Sequence, residues 1–142
     1  MIYTIGYQRN TIEDIERIMT AKNIGLLVDV RSVPYSRNPA KREFNKNRML
    51  QRFCGSCYFW LGEICGGKKG PVGSACIRKL LELATKEDLL LMCLENHPFD
   101  CHRYYDIGKR LLDPGRVDAV HIFDGTMVKT SVLMEAQRCQ KK

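Results

Sequence analysis

Two stretches of the chain are apolar on consecutive positions. Leu26-Leu27-Val28 runs into Asp29-Val30-Arg31, and Leu89-Leu90-Leu91-Met92-Cys93-Leu94 runs into Glu95. A strand with one wet face alternates, whereas a continuous run predicts a strand covered on both faces, as in a parallel sheet. Ile2 to Ile5, stopping at Gly6, predicts a shorter first strand. Ile12, Ile15, Ile18 and Met19 recur at helical spacing. Thr11 stands ahead of them as an N-cap, with Asp14 three residues on, and this predicts a helix over 12–22 that ends near Asn23 and Gly25. Ile77, Leu80, Leu81 and Ala84 mark a second helix over 75–84. Asp100 is placed to cap a third helix over 101–112, halted by Pro114-Gly115. Cys57 to Leu61 and Ala119 to Phe123 read as further strands. Asn45 is placed to cap a short helix through Met49, Leu50 and Phe53.

The order strand, helix, strand, insert, helix, strand, helix, strand predicts one α/β domain across residues 1–142, with a mainly parallel sheet flanked by helices. Its irregular parts are a loop over 31–52, a glycine-rich connection over 62–73 and a tail over 132–142, open between a short helix and a flexible end. In such sheets ligands bind beyond the carboxyl ends of the strands. That rule places Gly6, Asp29, Arg31, Cys93 and Glu95 on one active-site rim.

Composition changes this picture little. The 142 residues are 44% hydrophobic and 27% charged, ordinary for a single globular core. No apolar run approaches the ~20 residues of a membrane span, and the first residues lack the basic start of an export signal. A cytoplasmic location without membrane contact is expected. On that footing the seven cysteines are expected to be reduced.

Charge changes it more. The net charge is +7, and the window from Arg31 to Arg52 holds Arg31, Arg37, Lys41, Arg42, Lys46, Arg48 and Arg52 against Glu43 alone. A basic stretch with interleaved amides and the aromatics Tyr35 and Phe44 suits a phosphate backbone and stacked bases. Nucleic acid, DNA ahead of RNA, is the expected partner. The alternative is a solvated basic loop.

Chemistry concentrates in Cys93 to Arg103. A strand delivers Glu95 to the rim, a turn with Pro98 follows, and a helix opens on Cys101, His102 and Arg103. Helix starts attract anions and lower nearby thiol pKa values, and Arg103 adds a planar fork for phosphate. Asp29 and Arg31 alternate onto one strand face. With Asp29 beside Glu95, two carboxylates would flank one pocket, the equipment for glycosidic cleavage. Cys54-Gly55-Ser56-Cys57 with Cys65 has the spacing of half a zinc site, completed by His97, Cys101 or His102. No second close pair supports it, and no metal or other cofactor is expected.

Ile5-Gly6, Leu27-Val28-Asp29-Val30-Arg31-Ser32, Pro34-Tyr35-Ser36, Phe44-Asn45, Leu61-Gly62 with Gly66-Gly67, and Cys93-x-Glu95-x5-Cys101-His102-Arg103 together resemble the domain-of-unknown-function family DUF488, in order and along nearly the whole chain. The family pattern has His where this chain has Tyr7. The resemblance implies an α/β fold and a site at Asp29, Arg31, Tyr35, Glu95, Cys101, His102 and Arg103. It implies no reaction.

The residues themselves support three expectations. The first is an N-glycosidic hydrolase, a DNA glycosylase-like enzyme that flips and excises a modified base, of use in anti-phage defence. Asp29, Glu95 and His102 would be catalytic. Arg31, Tyr35, Cys101, Arg103, Arg37, Lys41, Arg42, Phe44 and Asn45 would hold substrate and phosphate. The second is a sulfur-transfer or redox enzyme with Cys101 as nucleophile. The third is a nucleic-acid-binding module without catalysis. The oligomeric state is not legible.

Overall fold

A computed structural model describes residues 1–140, and for Cys54 and Gly55 the backbone alone. The continuous apolar runs form the middle of a six-stranded sheet. In chain order its strands are β1 (Ile2–Gly6), β2 (Leu26–Asp29), β3 (Tyr58–Trp60), β4 (Leu89–Cys93), β5 (Val120–Phe123) and β6 (Thr126–Lys129). They lie in the order β3-β2-β4-β1-β5-β6, with β1 to β5 mutually parallel and β6 antiparallel to β5. The expected α/β architecture with a mostly parallel sheet is what the chain adopts.

Strand parity divides the core into two layers. Leu89, Leu91 and Cys93 of β4 join Leu26 and Val28 of β2 on one face, packed with Cys76, Ile77 and Leu80. Leu90 and Met92 join Leu27 and Ile5 on the other, packed with Ile12, Ile15, Phe44 and Met49. The helices follow accordingly. On the second face lie α1 (Ile12–Ala21), with Thr11 and Asp14 forming the expected reciprocal cap, and α2 (Lys46–Arg52). After the one-turn α3 (Cys54–Cys57), the first face is covered by α4 (Gly62–Cys65), α5 (Ser74–Ala84) and the helical stretch that ends in α6 (Lys109–Leu112).

Several expectations are corrected. The loop over 31–52 is partly helical, with a 3-10 segment Pro39–Phe44 before α2. Asn45 does not cap α2 with its side chain, because its Oδ1 accepts the Ser36 backbone N–H at 2.7 Å. Asp100 ends a 3-10 turn, Pro98–Asp100, and caps nothing. The following helix opens with π-wound turns over Arg103–Gly108 before it tightens into α6. The connection over 62–73 begins with α4, and Cys65 is joined to Cys76 of α5 by a disulfide. The cysteines are therefore not all reduced. Cys57, Cys93, Cys101 and Cys139 are free. The tail is helical as α7 (Thr130–Gln140), and Lys141 and Lys142 lie outside the described residues. No helix of the described residues is long and apolar enough to cross a membrane.

Candidate active site at the carboxyl edge of the sheet

The carboxyl ends of β1, β2 and β4 open into a cleft of ≈ 610 Å³. Its walls include Tyr7, Arg31, Tyr35, Arg37 and Lys68 together with Cys93, Glu95, Cys101, His102 and Tyr105. The rim expected from strand ends is therefore where the largest group of reactive side chains gathers. Sheet register decides which of them meet.

Asp29 pairs in register with Met92, so the two share a face, and Cys93 points to the opposite one. Asp29 is completely buried on the α1/α2 side and does not line the cleft. Its Oδ1 accepts the Arg31 backbone N–H at 3.1 Å and Arg31 Nε–H at 2.8 Å. Its Oδ2 accepts Arg31 Nη2–H at 2.6 Å and the Tyr58 hydroxyl at 2.5 Å. Burial and this carboxylate together push the Tyr58 phenol far up. The carboxylate pair expected from Asp29 and Glu95 is not assembled across the cleft. Asp29 instead fixes Arg31, which also reaches the Phe44 carbonyl and the Tyr7 hydroxyl at 2.6 and 3.3 Å.

Arg103 is likewise no phosphate fork. It is fully buried, and its Nε–H donates to Thr4 Oγ1 at 3.2 Å. Nη1 and Nη2 donate to the Glu95 and Asn96 carbonyls at 2.6 and 2.9 Å. It ties the loop after β4 to the helix start. Lys41 spends its ammonium on the Tyr7 and Asn10 carbonyls. Phe44 is buried and stacked on Tyr7, with 4.5 Å between ring centroids, so it is not available to stack on a base. Arg52 pairs with Glu13 and Glu16 on α1. Arg37, Arg42 and Tyr35 stay exposed, and Arg37 and Tyr35 are on the cleft wall. The basic window is thus about half internal scaffolding.

What the cleft does assemble is a group of Cys93, Cys101, His102 and Glu95. His102 Nε2 lies 2.8 Å from the Cys65 carbonyl and 3.1 Å from the Val30 carbonyl. Carbonyls accept only, so Nε2 carries the proton and Nδ1 is left to face the sulfurs. Nδ1 is 3.7 Å from Cys101 Sγ and 3.9 Å from Cys93 Sγ. Cys93 Sγ also lies 3.6 Å from Glu95 Oε2, so its one S–H proton is shared between Glu95 and Cys101.

Electrostatics separate the two thiols. A hydrogen bond from Cys93 holds the Cys101 thiol well below its ordinary range against the cost of burial. His102 and the charge and backbone N–H of Arg103 add to that. Cys93 is pushed up by its hydrogen bond to Cys101, by burial and by neighbouring negative charge. Burial, then the charge on Cys101, raises Glu95. Burial pulls His102 down, but its contacts with Cys101 and the two carbonyls outweigh that and leave it raised. The arrangement is one thiol biased toward its thiolate, one biased toward its protonated form, an imidazole and a carboxyl group that holds its proton more readily than usual.

Sequence reasoning placed Cys93 on the rim without giving it a role, and left Tyr7 out of the site. Cys93 was findable: Cys93-x-Glu95 at a strand end shares parity, and Cys101 returns to the same strand end eight residues on. Tyr7 had only its place after the first strand. The zinc arrangement at Cys54, Cys57 and Cys65 loses Cys65 to the disulfide, and the Cys54 side chain lies outside what is described.

Fold and cleft together define a class, an α/β protein with a thiol–imidazole site at the carboxyl edge of a parallel sheet. The family described as domain of unknown function DUF488 matches residues 11–75, so the resemblance drawn from the sequence holds over α1 to the start of α5. The matched segment carries Asp29, Arg31 and the basic window and stops before Cys93–Arg103. No curated protein and no solved structure matches the chain.

Proposed function

We propose that the protein is a cysteine-dependent enzyme of the sulfur-transfer or thiol–disulfide class, with Cys101 as nucleophile. The observation that carries this reading is the convergence of two thiols on one imidazole nitrogen, 3.7 and 3.9 Å away, in an accessible cleft. The Cys101 thiolate attacks the outer sulfur of a disulfide substrate, forms a mixed disulfide and expels the first thiolate. Glu95 takes the proton of Cys93, whose thiolate then attacks Cys101 Sγ. The second substrate sulfur leaves, and Cys93 and Cys101 remain joined. Two electrons pass from the dithiol to the substrate, and a small intracellular thiol returns the pair to its reduced form. Arg37 and Lys68 on the cleft wall suit an anionic substrate. A cytoplasmic setting, where such thiols abound, belongs to this reading.

The N-glycosidic reading keeps one supporting observation: Glu95, raised by burial on a cleft with basic walls, has the character of a general acid. It has lost its partner carboxylate, and the binding of nucleic acid rests on Arg37, Arg42 and Arg48, which are exposed and form no ion pair among the described residues. Excision of modified bases in anti-phage defence is an extension of that reading alone.

Two assays separate them. The Cys93→Ser variant, given a mixed disulfide of a chromogenic thiol, should release one equivalent and retain the other half on Cys101. Cys101→Ser should do neither beyond the background set by the exposed Cys139, which peptide mapping of the trapped half separates. In parallel, modified and unmodified DNA is incubated with protein and probed for abasic sites by alkaline cleavage. Cleavage lost in Glu95→Gln and kept in Cys101→Ser, with no trapped disulfide, would reverse the assignment. Salt-sensitive binding with neither activity would leave a binding module.

A further inference from the structure

We infer that Cys93, Cys101 and His102 form a binding site for one zinc ion, with a fourth position open to the cleft. The inference concerns the same cleft as the proposed reaction but does not depend on Cys101 being a nucleophile.

The donor atoms of the three residues lie within 4.8 Å of one another, and all three side chains are buried. A tetrahedral zinc ion, with bonds of about 2.3 Å to sulfur and 2.0–2.1 Å to nitrogen, requires sulfur–nitrogen edges of roughly 3.5 Å. The edges here are 3.7 and 3.9 Å. Seating the ion therefore needs a contraction of a few tenths of an ångström at each of these two edges, and brings the two sulfurs, at most 4.8 Å apart, to roughly 3.8 Å.

The surroundings are those a metal-bound histidine requires. A ligating imidazole donates its second N–H to a carbonyl or carboxylate, which fixes tautomer and ring orientation. His102 has this already, through Nε2–H to Cys65 and Val30. The ligand segments are also pinned in advance. Arg103 holds the loop after Cys93 by the Glu95 and Asn96 carbonyls, from a position next to His102 in the chain.

Donor chemistry selects the ion. Two thiolates and an imidazole favour zinc or a softer ion over magnesium or calcium, and two thiolates balance the charge of a divalent cation. Three protein ligands with one side on a cleft is the pattern of an open site, not of a sealed structural one. Glu95, 3.6 Å from Cys93 Sγ, stands where it can close the fourth position or act on a water held there. Zinc on these sulfurs and a disulfide between them exclude each other, so metal occupancy would silence the thiol chemistry of the cleft reversibly.

The test uses the full chain, reduced, freed of metal with a chelator and titrated with zinc or cobalt. One cobalt ion per chain, with sulfur-to-cobalt charge transfer and tetrahedral d–d absorption, is expected. Zinc should protect Cys93 and Cys101 from alkylation, read by peptide mass. His102→Ala and Cys101→Ser should each weaken zinc binding by more than about 100-fold, exceeding the loss typical of supporting residues, while Cys57→Ser should leave it unchanged. Absence of the cobalt spectrum in the wild-type protein, or protection mapping to Cys57 or Cys139 in place of Cys93 and Cys101, overturns the inference without recourse to a variant that fails to fold. The mixed-disulfide assay on metal-free protein is independent of this. Trapping without metal binding sinks the zinc site alone, and metal binding without trapping upholds it while removing the thiol reaction.

Discussion

At the scale of single residues, the pair Asp29 and Arg31 shows how a suggestive motif can serve the scaffold. A buried ion pair is tolerated when every donor and acceptor is used. Here both carboxylate oxygens and the guanidinium are satisfied by each other, Tyr58, Tyr7 and the Phe44 carbonyl. Asp29→Asn strands the buried Arg31 charge and should cost about 3–5 kcal/mol, read as a lower urea midpoint with the slope unchanged. A variant as stable as the parent, but inactive on DNA, would return Asp29 to the chemistry. The sequence exposed the presence of these residues at a strand end. It did not expose their face, because parity within a strand gives only relative direction. Only the register that sets Asp29 beside Met92 separates it from Cys93 and Glu95. Cys101 and His102 were legible because a reactive thiol and imidazole at a helix start have few structural uses. Arg103 carried the same signal and turned out to be an anchor.

At the scale of elements, the loop after β4 is positioned from two sides. Arg103 holds its carbonyls, and β1 presses on it from the other side, with Gly6 so close that a Cβ there would stand 1.8 Å from the Glu95 carbonyl oxygen. The Ile5-Gly6 ending of the first strand is therefore part of the site's geometry. Gly6→Ala must push the Glu95 loop away from Arg103. It should destabilise the fold by about 1–3 kcal/mol, as overpacking does, and lower the yield of trapped Cys101 disulfide more than a surface variant of equal stability. An undiminished yield would show that Glu95 need not stay where it is. Elements also mark where sequence reading stopped short. The hairpin of β5 and β6 turns on Asp124-Gly125, both with positive φ, the dipeptide most characteristic of a two-residue hairpin turn. That signal was present and its flanking strand, Thr126 to Lys129, too polar to be noticed. The π-wound turns after His102 had no sequence signature at all.

At the scale of the whole molecule, a single chain of hydrogen bonds links the site to the far edge. Arg103 donates to Thr4, the Thr4 hydroxyl serves His121 Nδ1 at 2.6 Å, and His121 Nε2–H reaches Thr130 Oγ1 at 2.8 Å, joining β1, β5 and α7. This direction of donation requires a neutral imidazole, and burial, then the charge of Arg103, lowers the His121 pKa to about 4. The unfolded chain therefore binds the proton first. His121 contributes its stability in full above about pH 6.5 and loses it as the pH falls toward 4, on the order of 3 kcal/mol in all. His102, raised in the fold, works in the opposite sense, so the comparison is between the parent and His121→Gln. The parent should lose stability relative to the variant across that window in urea titrations at successive pH values. Parallel pH profiles would remove the network from the account. The architecture itself was readable from the apolar runs, since burial on two faces leaves a strong imprint. The disulfide was not, because nothing in the spacing of seven cysteines prefers one pairing over another. Yet that bridge changes what kind of object the cleft wall is. Cys65 and Cys76 close residues 66–75 into a covalent ring, with Gly67 and Lys68 of the wall threaded on it. A break in the backbone anywhere on that ring leaves a two-piece chain that cannot come apart. The Cys65 carbonyl that orients His102 stays on its own fragment beside the sheet, so this largely exposed connection is also one whose scission need not dismantle the site.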